Sequence, residues 1–429
     1  MRKICLTVIG LYAMFLHAFS QSTAPASETG YQAKRLKLEE VNLVSSYYSQ
    51  NGDHSAVTGG IGTEKVTDIS NGISLKWVGW GIHGRKQTLG LGFGFDHHTS
   101  ASSAYVNKTG ASKTGGSRIY PSLNWTVENE AKGRTFGIGA YYSSEYNYHS
   151  HGLDILFAQK THNNGEFSAK LTAYFDQVKM IYPSELVPAS DSVTTTTTTG
   201  GTTIITSASG QQTVVNSDGT TTTTTTSHYT IPSDPRTTLT ESFSFSQVIN
   251  PRMQASVTVD LVEQSGYLGL PFHRVYFTDG TDKVENLPSN RFKLPLGLRL
   301  NYFLGDRIIL KAYYRYYMDS WDVQSHTAGI EMPVKISPFF SLSPFYRYYT
   351  QTAAKYFAPY SAHLLTDTYY TSNYAYAALN SQSMGLGLRL APPGGILHSR
   401  LGVLELRYAH YTQTTNLTAN MVTLSMTFK

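Results

Sequence analysis

Two clusters carry residue types that could hold a metal: Asp96-His97-His98 and His149-Ser150-His151. Imidazoles beside a second donor suit a divalent cation. Adjacent side chains of an extended chain point to opposite faces, however, so polar loop residues are the simpler expectation for both clusters. Gly90, Gly92 and Gly94 mimic part of a dinucleotide fingerprint. Their strict spacing of two, with no helix to follow, marks small residues along one face of a strand. Serines and histidines are plentiful, yet no spacing singles out a Ser-His-acid set, so an enzyme is not expected and a membrane hydrolase is the residual alternative. The chain has one cysteine, Cys5. No catalytic residue, metal or cofactor is therefore expected.

Arg2 and Lys3 precede a mostly apolar run from Ile4 to Phe19, and Ala18 and Ser20 occupy the small positions of a cleavage site. Residues 1–20 read as a secretory signal and 21–35 as a flexible mature N-terminus. Cys5 sits before most of the apolar run, where a lipoprotein acceptor does not belong, so the mature chain is expected to lack thiol and disulfide chemistry. After residue 20 nothing approaches 18 consecutive apolar residues, which excludes helical membrane spans. The 429 residues are 15% charged and 13% aromatic, with 31 tyrosines. So little charge argues against long solvated helices, and so many rings argue against disorder. A net charge of +5 gives no reason to expect nucleic acid.

Period-two alternation recurs instead. Leu89, Leu91, Phe93 and Phe95 alternate with glycine; Ile119, Pro121, Leu123, Trp125 and Val127 alternate with polar partners. The same holds for Phe167 to Phe175, Met253 to Leu261, Phe292 to Tyr302, Ile308 to Tyr316 and Met384 to Leu390. Each such strand shows one greasy face and one polar or small face. The connections alternate short and long, the long ones falling at 50–69, 97–116, 181–237, 264–290 and 351–378. Two connections, near 318–322 and 412–416, break the size rule while keeping the alternation of sides. The expected fold is all-β. It is a single transmembrane antiparallel up-and-down barrel over residues 36–429, with about sixteen strands (roughly 14–18), long extracellular loops and short periplasmic turns. Only closure satisfies every backbone hydrogen bond in lipid. Tyrosine pairs at 47–48, 141–142, 313–314, 316–317 and 348–349 fit aromatic girdles. Residues 187–236, rich in threonine, read as a mobile low-complexity external loop.

If the apolar faces meet lipid, their partners point inward. That places Lys293, Arg299, Lys311, Arg315, Glu331, Arg347, Arg389, Glu405 and Arg407 on the lumen, a net basic wall from 291 to 410. Charge on the lipid face would cost roughly 2–4 kcal/mol near the midplane. Such a lining serves equally as an anion-attracting path or as a salt-bridged, rigid wall. The loop from Gly266 to Asn290 holds Tyr267, Leu268, Leu270, Phe272, Val275, Tyr276 and Phe277, with His273 and Arg274. It is too apolar to stay exposed and is expected to fold into the mouth as a constriction or dock a partner, the plainer alternative being local packing on neighbouring loops.

Several blocks resemble a known family. They are Thr58 to Lys65, Tyr120 to Trp125, Pro271 to Gly280, Tyr313 to Tyr317 with Asp322 and Ser325 to Thr327, and Tyr346 to Tyr349 with Tyr356 to Pro359. Together they resemble the bacterial domain of unknown function 3570, in a Bacteroidetes-type form. The resemblance implies an outer-membrane barrel and brings no substrate or catalytic residue. It carries a loose association with flavin-attachment and thiol-redox neighbours, which leaves a barrel serving an envelope redox route as one alternative. Asp191-Ser192-Val193 resembles a Bacteroidetes-type O-glycosylation acceptor, with Ser192 as the modified residue. Val422, Leu424, Met426 and Phe428 resemble the C-terminal strand read by barrel assembly machinery, although Lys429 follows the phenylalanine. The expected partners are outer-membrane lipids, that machinery and a small solute, anions included. A non-conducting surface-binding or scaffold barrel remains the alternative from another class.

Overall fold

The computed structural model describes residues 34–81, 84–99, 115–186 and 232–429, with four short strands at Thr195–Thr199, Thr202–Thr206, Gln211–Val215 and Thr221–Thr225. The expected signal at 1–20 and Ser192 lie outside the described residues.

Alternating apolar and small or polar residues build one closed antiparallel barrel of sixteen strands. The first eight are Lys34–Asn51, Val66–Trp80, Lys86–His98, Gly116–Asn129, Arg134–Glu145, Tyr148–Lys160, Gly165–Lys179 and Ser233–Asn250. The second eight are Met253–Gly266, Asn290–Leu304, Ile308–Asp319, Gln324–Glu331, Phe340–Gln351, Leu379–Leu390, Leu401–Gln413 and Leu417–Phe428. The twelfth strand breaks at Met332-Pro333, where proline has no N–H to donate, and resumes as Val334–Lys335. The first strand pairs with the last, Val41 opposite Phe428 and Asn51 opposite Thr418, so no edge is left.

Every strand leaves large apolar side chains exposed, among them Phe93, Leu123, Phe136, Leu153, Phe175, Phe243, Leu298, Tyr346, Leu386 and Val422. An apolar belt that runs all the way round would be ruinous in water and is the surface a bilayer requires. The chain is a membrane-spanning barrel. Of each tyrosine pair one ring faces lipid and one faces the lumen: Arg299, Tyr313 and Gly329 share the inner face, while Tyr314 pairs with Leu298 outside. Two carboxylates depart from the outer pattern. Glu241 sits opposite Leu171 and Leu261, and Glu263 opposite Leu239 and Phe292, all on the lipid side.

Inside, glycines let rings lie flat on the wall. A Cβ at Gly94 would stand 2.0 Å from the Tyr120 ring, and one at Gly152 would meet Tyr174 at 2.5 Å. The mouth with the long connections also has three tight ones: Tyr146-Asn147, 320–323 and 414–416. The first escapes the sequence pattern because the run from Tyr141 to Tyr148 contains neither Gly nor Pro. Within the threonine-rich tract four short strands pair in sequence into a separate sheet, Thr195 opposite Thr206 and Gln211 opposite Thr225. β-Branched threonine favours extended backbone without needing a core.

Candidate functional site

The long connections converge over one mouth. Residues 267–289 fold back as a short hairpin, Arg274–Tyr276 against Asp282–Val284, with Phe277 N–H donating to Thr281 O at 2.8 Å. Pro271, Val275 and Phe277 are completely buried. They pack on the 352–378 connection: Thr278 N–H donates to His363 O at 3.0 Å, Tyr370 N–H to Asn286 O at 2.8 Å, and the Phe277 ring meets Tyr370 edge-on. Apolar residues in a loop thus build a miniature core of their own.

Arg274 extends this lid across the opening. Its Nη1 donates to Val57 O at 2.7 Å and its Nε to Glu185 Oε1 at 2.6 Å. Val57 joins the first and second strands, whereas Arg274 joins the ninth and tenth. Eight strands out of sixteen separate them in either direction, so the bond links opposite sides of a barrel on the order of 30 Å across. Tyr276 lies over Gly59, where a Cβ would stand 2.5 Å from the ring and φ is +77°. His54 stacks on Tyr374 with centroids 3.7 Å apart, and Phe272 approaches Tyr146.

Glu285 holds the middle of the lid. It is buried, accepts from the Thr371 hydroxyl at 2.5 Å and the Leu270 N–H at 2.9 Å, and lies 3.5 Å from His273 Nδ1. The last distance is longer than an ordinary hydrogen bond. Burial pushes the carboxyl up, but the neighbouring His273 and the two donors outweigh it and hold Glu285 below the usual carboxylate range. At the lid's margin Asp319 accepts from the N–H groups of Trp321 and Val323 at 2.8 and 3.1 Å and from the Tyr317 hydroxyl at 2.6 Å. Arg291 pairs with the same carboxylate and lies 4.2 Å above the Trp321 ring. Trp321, Val323, Leu287 and Ala354 form the buried cluster beneath. These anchors carry no sequence periodicity.

Below the lid, the second half of the barrel presents its basic face. Lys311 Nζ lies 3.1 Å from Glu331, which also takes Arg407 at 2.9 Å; Arg407 reaches Glu405 at 3.2 Å. To meet Glu331, Arg407 passes over Gly387 and Ser343 on the two intervening strands, which only a concave surface allows. Arg299, Arg347, Lys311, Glu331 and Tyr313 line a cavity of about 500 Å³, and Lys335, Arg389, Glu405 and Arg407 line an adjoining one of about 310 Å³. Lys293 and Arg315 stand on the same face nearer the lid, opposite Asp319 and Gly297. Among the described residues Arg299, Arg315, Lys335, Arg347 and Arg389 form no ion pair. Lys335 escapes the alternation along the chain because it follows the break at Pro333.

Tyr276 packs against Tyr360, and Phe272 meets His273 edge-on. The Tyr267 hydroxyl is buried without a hydrogen-bond partner among the described residues. The histidine clusters are spread over the wall. His97 bonds Ser117 outside at 2.8 Å, His98 faces Glu145 inside at 3.5 Å, His149 bonds Ser144 at 2.8 Å, and His151 lies against Tyr142.

The family model described as "Protein of unknown function (DUF3570)" matches residues 98–423. The chain belongs to this family. No curated protein matches it in sequence. Among solved structures it is similar to CdiB from Acinetobacter baumannii, at 6% identity and TM-score 0.43, over 92% of this chain and 66% of that one. This chain thus spans about two thirds of that structure's length. A bacterial polysaccharide outer membrane secretin gives 10% identity and TM-score 0.42, over 91% and 98%. OpdK of Pseudomonas aeruginosa, solved with vanillate, gives 8% and 0.39, over 91% and 97%. The barrel itself is established by its own strand register.

Proposed function

We propose that this barrel sits in the outer membrane and passes small solutes, anions in preference, through a lumen with one basic wall and a lid over its long-loop mouth. The charge on that wall carries the reading. On the wall from 291 to 410, Arg291, Lys293, Arg299, Lys311, Arg315, Lys335, Arg347, Arg389 and Arg407 stand with Asp319, Glu331 and Glu405, nine cations against three carboxylates. A rigid salt-bridged lining needs balanced charge, and here the surplus is left facing water. In a narrow lumen with low-dielectric walls, such a surplus concentrates counter-ions. The 267–289 segment acts as the constriction, with Arg274 as its far anchor.

Planar-bilayer recording of the purified protein tests this. Current with a reversal potential favouring chloride is expected, and replacing Arg315 and Arg347 by Glu shifts it toward cations. Unchanged selectivity removes the basic wall from the mechanism.

A second reading draws on the lid: a bond joining opposite sides of the mouth, Arg274 to Val57, suits a sealed barrel that binds partners through its loops. Absence of current, together with loss of cell-surface partner binding on deletion of residues 190–230, would favour it.

A further inference from the structure

We propose that the trough between Arg299 and Arg347 is a binding site for small organic dianions; this rests on the anion-passing lumen above and names its substrate class. Arg299, Tyr313, Gly329 and Arg347 are successive partners on four neighbouring strands, so they form a single row across the inner wall. Three strand spacings, about 14 Å, separate the two arginine Cα atoms. Between them the floor is a tyrosine ring and a glycine. The Arg299 guanidinium lies 5.3 Å from the Tyr313 ring centroid, which orients one face of it.

The charges around the trough are already allocated. Glu331, the one carboxylate lining it, is held by Lys311 at 3.1 Å and Arg407 at 2.9 Å, and Arg407 is shared with Glu405. This chain of two cations and two carboxylates is neutral. It leaves the Arg299 and Arg347 forks, five N–H donors each, without an acidic partner among the described residues. A cavity of about 500 Å³ with a cation at each end exceeds the needs of an inorganic ion and falls in the range of small-molecule sites. The rings of Tyr313 and Phe345 add apolar surface for a carbon skeleton. A monoanion can engage one fork; two anionic groups joined by a few carbons engage both.

The full barrel in detergent, titrated calorimetrically, provides the test. Glutarate is the probe, butyrate the monoanionic control and inorganic phosphate the test of charge without a skeleton. Glutarate should bind at least about tenfold more tightly than either. Arg299→Gln or Arg347→Gln should each remove that advantage, Arg299→Lys should keep part of it, and Gly329→Leu should fill the trough. A Cβ at Gly329 meets its nearest atoms, the Tyr346 carbonyl and the Arg347 Cγ, at 3.7 and 3.8 Å, ordinary contact, so the position accepts a side chain without a backbone clash. No saturable glutarate binding, equal binding of butyrate or phosphate, or an advantage that survives both glutamine variants overturns the proposal. Binding without bilayer current refutes the channel and keeps the site, whereas anion-selective current without glutarate preference does the reverse.

Discussion

Truncation of Arg274 puts the lid to its most direct test. Arg274→Ala removes the bond to the Val57 carbonyl and the pairing with Glu185. The side chain is 6% exposed, so the carbonyl bond is a charge-assisted one shielded from water, worth about 1.5–3 kcal/mol. Glu185 is about one-third exposed, which reduces that pair to about 1 kcal/mol. The closed arrangement should lose about 2.5–4 kcal/mol, a shift of roughly 10²- to 10³-fold in the opening equilibrium. Hydrogen exchange of the backbone amides at 52–65 and 267–289 reads this directly, because their protection reports local opening. Exchange there should accelerate by that factor while strand amides stay unchanged. Glu185→Gln should give the smaller part alone. If exchange at 267–289 changes by less than about threefold, Arg274 is not holding the lid and the crossing bond has no mechanical role.

Other outcomes follow from the same geometry. Gly59→Val forces a β-branched side chain into a positive φ and into the Tyr276 ring, and should loosen the lid as strongly as Arg274→Ala in the same exchange measurement. For pH, Glu285 is held below its ordinary value of 4.5, so its contribution to closure is complete above that value and is lost as pH falls through the lower one. Lid exchange should therefore rise, after correction for intrinsic rates, as pH falls below about 4.5, and Glu285→Gln should abolish that step. Replacing the outward Glu241 by Leu should raise the urea midpoint of the barrel in lipid, by up to about 2 kcal/mol in stability. A lowered midpoint would mean that this face is not in hydrocarbon. Asp319→Ala leaves Arg291 buried and unpaired and should cost about 3 kcal/mol, read by loss of heat-resistant mobility on gels.

The sequence by itself determined the barrel. Leu89 to Phe95 or Phe292 to Tyr302 can bury an apolar stripe in only one way, and period two ties each residue's face to its number. For the same reason the inward direction of Lys311 and Arg407 was legible, since a charge alternating with leucines has one place to go. What no pattern contained was which distant groups meet. Arg407 finds Glu331 because strand curvature brings them together over Gly387, and Lys335 joins the wall only past a proline break. The lid was visible in part: the greasy run at 267–277 announced burial, but not its partners. Val57, Glu185 and Thr371 lie in three other connections, and their meeting with Arg274 and Glu285 depends on how sixteen strands bring loop ends round a circle. Local alternation is a property of neighbours along the chain, while contact across a mouth is a property of closure.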